Sequence, residues 1–128
     1  MGHGSSAVCR NCGAGFEANE GGGFFFHLLH CDECGRERVV RFEKLGALHE
    51  RYIKGLSVPY CIVSSASDAA TQARDDIEPL TETEYHAAVE KKQRKCRCGG
   101  RFRFGAPPRC PKCRSTDWEP TGGFCCYD

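Results

Sequence analysis

Apolar positions cluster in a few short stretches of the chain. The densest is Phe24-Phe25-Phe26-His27-Leu28-Leu29-His30, whose length and aromatic content predict a strand, although it does not alternate cleanly and both faces read as apolar. A thin unit cannot cover both faces, so the second is expected to pack on the middle of the chain or on another molecule. From Phe42 to Lys54 the residues Phe42, Leu45, Leu48, Tyr52 and Ile53 recur at helical spacing and Gly55 stands where a helix stops, which predicts one amphipathic helix. Val58-Pro59-Tyr60-Cys61-Ile62-Val63 is a short apolar run, and residues 64–73 are small and polar, a stretch whose state the sequence leaves open, with a mobile linker as one reading. A second helix is announced by Thr81 and Glu84 in capping-box spacing, by Leu80 and Tyr85 at staple positions, and by the cations Lys91, Lys92, Arg94 and Lys95 at its far end. Arg101-Phe102-Arg103-Phe104 alternates like a strand, with Phe on one face and Arg on the other, before a turn at 105–108. Residues 1–8, rich in Gly and Ser, read as a disordered terminus. The tail 121–128 is apolar after Gly122-Gly123 and is expected to dock on a partner or on the protein's own surface.

Cysteine changes the picture. Eleven cysteines occur in 128 residues, and eight of them form four close pairs: Cys9/Cys12, Cys31/Cys34, Cys96/Cys98 and Cys110/Cys113. Read in chain order, the first two pairs make one four-sulfur unit and the last two make another, each suited to a closed tetrahedral metal site. Gly13, just after Cys12, can take the positive φ that turns backbone N–H groups toward the sulfurs. Units of roughly 30–40 residues bury too little apolar surface to fold alone, so the metal is expected to supply much of their folding free energy. Both units resemble zinc ribbons, rubredoxin-like four-cysteine modules held between two knuckles; the Cys96-Arg-Cys98 spacing departs from the usual two-residue gap. The resemblance implies a small metal-stabilised α+β fold. It places a first ribbon at 9–41, a helical linker region with two helices at 42–95, a second ribbon at 96–120 and a tail at 121–128. It implies two Zn2+ ions, with iron as the rival occupant of such a sulfur set. His27 and His30 read as residues of a buried strand rather than ligands. Cys61 reads as a small buried side chain. Cys125 and Cys126 are neighbours whose thiols a strand sends to opposite faces, which disfavours one shared metal.

The net charge of +1 conceals an asymmetry: residues 1–90 hold 8 Lys and Arg against 14 Asp and Glu, a balance of −6. Residues 91–114 hold Lys91, Lys92, Arg94, Lys95, Arg97, Arg101, Arg103, Arg109, Lys112 and Arg114 and no acid. Such a cluster suits phosphate contacts, with Phe102 or Phe104 as stacking platforms. The competing reading is that these rings fill a ribbon's small core and the cations offset the charge of the metal–thiolate sites.

Other classes find little support. The first residues contain no apolar stretch fit for a signal peptide, and no run approaches the roughly 20 apolar residues of a membrane span, so a soluble cytoplasmic protein is expected. His49-Glu50-Arg51-Tyr52-Ile53 starts like a metalloprotease helix, but Ile53 stands where the second His is needed. No phosphate-binding Gly loop opens a helix, and no small-molecule substrate is indicated. The expectation is a non-enzymatic double zinc-ribbon adaptor or accessory protein for a macromolecular partner, a protein in the first place, with nucleic acid through 91–114 as a further candidate. The alternatives are a small subunit of a larger enzyme and, resting on Cys125 and Cys126, a metallochaperone.

Overall fold

The computed structural model describes residues 2–128. Two three-stranded antiparallel sheets are built on one plan: a hairpin that turns through an early cysteine pair, joined by a strand that follows a late cysteine pair. In the first sheet, β1 (Gly2–Cys9) turns through Cys9–Cys12 into β2 (Gly15–Glu20), and β6 (Trp118–Tyr127) lies on the other side of β1, giving the order β2-β1-β6. In the second, β3 (Phe26–Cys31) turns through Cys31–Cys34 into β4 (Glu37–Arg41), and the two-residue β5 (Phe102–Arg103) pairs with the far edge of β3, giving β4-β3-β5. The second sheet and all the helices are inserted between the strands of the first.

Residues 2–8, read as part of a disordered terminus, are therefore ordered; residue 1 lies outside the described residues. Gly2 to Cys9 form the central strand of a sheet, in register with Glu20 to Gly15 on one side and with Tyr127 to Trp118 on the other. Side chains this small fit a strand flanked on both sides, where Ala7 and Cys9 are buried. The tail docks on the protein itself, as the outer strand β6, which carries Cys125 and Cys126 exposed.

Two helices stand where one is expected over 42–54. Gly46, at φ 55 and ψ −123, leaves helical space and divides α1 (Phe42–Leu45) from α2 (Ala47–Gly55). The stretch 64–73 is not a linker: α3 (Ser65–Gln72) forms there. Buried Asp68 fixes the preceding loop to it, accepting from the Tyr60 N–H at 2.9 Å and from the Ser64 hydroxyl at 2.6 Å. The capping box holds as read. In α4 (Glu82–Lys92) the Thr81 hydroxyl accepts from the Glu84 N–H and the Glu84 carboxylate accepts from the Thr81 N–H, both at 3.2 Å.

One core joins the second sheet to α1, α2 and α4, through Leu29, Val40, Leu45, Tyr52, Ile53, Tyr85, Val89 and Phe102. Both faces of β3 are buried: Leu29 and His27 turn toward this core, while Leu28 and His30, on the opposite face, lie beside Glu20, Gly21 and the turn after β5. Each fully buried Leu, Val or Phe of that set contributes roughly 1.5–3 kcal/mol. At its centre the Tyr85 hydroxyl lies 2.8 Å from His27 Nε2 and 2.9 Å from His49 Nδ1. Burial holds His27 at a pKa of about 3 and His49 at about 4, so both are neutral at pH 7. Among the described residues, no helix is long and apolar enough to cross a membrane.

Candidate metal centres

All eight paired cysteines gather into two four-sulfur clusters, but not in chain order. Cys9 and Cys12 meet Cys110 and Cys113, while Cys31 and Cys34 meet Cys96 and Cys98. The grouping by neighbouring pairs is thus corrected to a nested one, outer pair with outer pair and inner with inner. The physical cause is the strand pairing: β6 follows Cys113 and zips along β1, and β5 follows Cys98 and zips along β3, so each late knuckle is delivered beside the early knuckle of its own sheet. The second group of 96–120 is accordingly divided, its first knuckle serving the inner site and its second the outer.

The sulfurs of each cluster lie within 4.8 Å of one another. The closest approaches are 3.5 Å for Cys9–Cys113 and Cys12–Cys110, 3.4 Å for Cys31–Cys98 and 3.6 Å for Cys34–Cys96. A tetrahedral ion with metal–sulfur bonds near 2.3 Å spaces its ligands about 3.8 Å apart, so both cages suit one. None of the eleven cysteines is in a disulfide.

Each knuckle repeats the same backbone turn. The N–H of the first cysteine donates to a carbonyl beyond the second: Cys9 to Ala14, Cys31 to Arg36, Cys96 to Gly100 and Cys110 to Ser115, at 2.8–2.9 Å. A residue in left-handed conformation follows each second cysteine: Gly13 at φ 77, Gly35 at 75, Gly99 at 93 and, as the exception, Arg114 at 65. This turn points N–H groups at sulfur, seen at Cys12 N–Cys9 Sγ (3.5 Å) and Glu33 N–Cys31 Sγ (3.4 Å). The Asn11 amide donates to Cys113 Sγ at 3.4 Å. That amide, followed by the Ser115 N–H, draws the Cys113 pKa down to about 6, and the Cys98 N–H draws Cys96 to about 7. Burial among neighbouring sulfurs instead pushes Cys34 up to about 12. Four sulfurs this close cannot all ionise without a cation between them, and a divalent ion removes that obstacle.

Charge matches each early knuckle to its late strand. Arg10, between Cys9 and Cys12, donates its backbone N–H to the Asp117 carbonyl at 2.9 Å, and its guanidinium meets Asp117 and Glu119, each at 3.2 Å. The corresponding residue of the inner knuckle, Asp32, donates its N–H to the Arg101 carbonyl at 2.8 Å, and its carboxylate accepts from the Arg101 N–H and Arg103 Nε, each at 2.9 Å. Exchanging the late strands would set Arg10 against Arg103 and Asp32 against Asp117. This reversal of sign was legible in the sequence and tells the two late strands apart. The two centres abut where Gly35 of the inner knuckle meets Arg109, the residue before Cys110; a Cβ on Gly35 would lie 2.6 Å from the Arg109 nitrogen.

The ten cations of 91–114 are spread over the end of α4, both late knuckles and β5. Arg103 is engaged by Asp32 and by Glu90 (3.7 Å), and Arg109 donates to the Arg114 carbonyl. Arg97 sits within the inner knuckle, while Lys112 and Arg114 belong to the outer one. Lys91 and Lys92 end α4, and Arg94 and Lys95 lead from it to Cys96. Phe102 is buried against the core under the Arg38 guanidinium, 4.0 Å from its ring centroid, and the half-buried Phe104 stacks on His86, so both rings are already packed against the protein. His27, His30 and Cys61 take no part in either cluster. The cations missed by a segment-wise count are Arg36 just before β4, Arg38 and Arg41 in β4, and Lys44 in α1, hidden inside the acidic balance of residues 1–90.

Residues 5–119 match the model of one protein family, described as Domain of unknown function (DUF8255). No curated protein and no solved structure matches the chain.

Proposed function

The chain belongs to the family of the domain of unknown function DUF8255, and we propose that within it the protein is a non-enzymatic double zinc-ribbon module that holds two structural Zn2+ ions and presents surfaces to a macromolecular partner. The observation that carries this reading is the pair of closed four-sulfur cages. All four positions of each cage belong to cysteine, leaving none for a substrate or a reactive water, which is the arrangement of structural rather than catalytic zinc. Zinc rather than iron is the expected occupant of such cages, and eleven free cysteines suit the reducing cytoplasm. The surface left over supports partner binding. Val58, Ile62 and Val63 are exposed on one apolar loop, Ile62 to 91 %, which suits a protein contact. Lys91, Lys92, Arg94 and Lys95 have side chains without an ion pair or hydrogen bond among the described residues.

Native mass spectrometry of the protein, followed by circular dichroism during chelation, tests the reading. Two zinc ions per chain are expected, with strand signal lost as a strong chelator removes them. A red protein with iron–thiolate absorption, or a fold unchanged after both metals are removed, would contradict it.

A further inference from the structure

We propose that the groove between β4, α1 and the end of α4 binds single-stranded nucleic acid, with Arg41, Lys44 and Lys92 on phosphates and the exposed Phe25 ring under a base. The inference rests on the reading of the chain as a metal-held binding module and names its partner and surface. Arg41 at the end of β4, Lys44 in α1 and Lys92 in the last turn of α4 line one open hollow of about 600 Å3, together with Val39, Leu45 and Gln93. No carboxylate lines it. None of the three cations has an ion pair or side-chain hydrogen bond among the described residues, so each has its full donor capacity for a ligand. Lys91 and Arg94 adjoin Lys92 and Gln93 in sequence and add to the positive charge at that end.

Arg41 also lines the neighbouring hollow, with Phe25, Phe42 and Glu43. Arg41 is common to both hollows and links the ring of the second to the cations of the first, and Glu43 is the one carboxylate in the pair. Phe25 is 56 % exposed, held in place by its own carbonyl, which accepts from the Phe42 N–H at 3.0 Å. An exposed ring on a fixed backbone, joined through Arg41 to unpaired cations, is the combination that binds single strands: charge for the phosphates, a flat apolar face for a base. A duplex keeps its bases stacked and gives that ring nothing to cover. An acidic polypeptide satisfies the cations but leaves the ring without a specific role. This surface draws on cations from both sides of the charge divide, since Arg41 and Lys44 lie in the acidic part of the sequence.

The test is fluorescence anisotropy of labelled oligothymidylate with the two-metal protein across a salt series. Three phosphate contacts predict a log–log salt slope of about −2, each of Arg41→Gln, Lys44→Gln and Lys92→Gln reducing it by about 0.7. Phe25→Leu keeps an apolar side chain but removes the ring, and is expected to weaken binding about tenfold, while Phe25→Trp retains affinity. The inference is overturned if metal-loaded protein fails to bind at low salt, or if the triple Gln variant binds as well as the parent. It is equally overturned if Phe25→Leu is without effect and polyglutamate displaces the oligonucleotide, which would mark an acidic protein as the partner. Metal count and circular dichroism on the same samples separate the two claims: a folded two-metal protein that ignores oligothymidylate ends this inference alone, whereas a chain without metals ends the reading beneath it.

Discussion

Replacing Gly35 with Ala should damage the protein far more than replacing Gly13, although both glycines close a cysteine knuckle at nearly the same φ, 75 and 77. The difference lies in what a new methyl would meet. Around Gly13 nothing lies within 4 Å, so Gly13→Ala carries only the cost of a left-handed L-residue, about 1–2 kcal/mol. At Gly35 the added carbon would lie 2.5 Å from Arg109 Cβ and 2.6 Å from its backbone nitrogen. Backbone cannot swing aside, so the knuckle and the segment before Cys110 must part, adding about 1–3 kcal/mol of overpacking. The sum, roughly 2–5 kcal/mol, is a large share of the 5–15 kcal/mol typical of a domain. Because Gly35 belongs to the inner centre and Arg109 to the outer, both metals should be released more readily from Gly35→Ala, and only the outer one from Gly13→Ala. Urea unfolding of zinc-loaded protein, paired with a chromogenic chelator that times the release of each ion, measures both effects. Equal destabilisation within about 0.5 kcal/mol, or release of a single ion from Gly35→Ala, would refute the claim that the centres abut.

Three further outcomes are expected. Thr81→Ala removes the hydroxyl that caps α4 and should cost about 1 kcal/mol in denaturant unfolding, with the zinc count unchanged. Tyr85→Phe strips the hydroxyl shared by His27 and His49 and leaves buried ring nitrogens without a partner; a loss of about 1–3 kcal/mol should appear as a lower unfolding midpoint. Stability should also fall on acidification: His27 is held at about 3 in the fold, so the unfolded chain binds the extra proton below the ordinary value near 6.5. The contribution is complete above that value and is lost as pH falls toward about 3, on the order of 1 kcal/mol per pH unit; a parallel decline in His27→Gln, followed by urea melts in excess zinc between pH 6.5 and 5.5, would count against this origin.

Local features of the fold were legible in the sequence wherever neighbouring residues decide them. The Thr81–Glu84 box fixes the start of α4, the run through Leu28 and Leu29 makes a strand buried on both faces, and the cysteine pairs mark all four knuckles. The break at Gly46 and the short α3 are local features that escaped, because neither a single Gly nor a run of small polar residues carries a strong period; the larger misses depend on distant partners. Gly2–Cys9 resembles a disordered terminus because nothing within it shows that β2 and β6 will flank it. The pairing of knuckles is likewise invisible to spacing. Chain-order grouping closes much shorter loops than the separations of 98 and 62 residues between Cys12 and Cys110 and between Cys34 and Cys96. Yet loop-closure entropy grows by only about 0.6 kcal/mol per doubling of length. That preference is small beside the strand pairing of β1 with β6, while the metal-binding free energy is available to either grouping and does not choose between them. The opposite charges at Arg10 and Asp32, matched by Asp117 with Glu119 and by Arg103, were the readable clue, since they distinguish the late strands from each other.

The nested pairing is tested most directly by counting metals in two fourfold Cys→Ser variants with native mass spectrometry. Substituting Cys9, Cys12, Cys110 and Cys113 empties the outer cage alone and should leave one zinc per chain, whereas substituting Cys9, Cys12, Cys31 and Cys34 takes half of each cage and should leave none. The reverse result, no metal in the first variant and one in the second, would restore grouping in chain order and contradict the account.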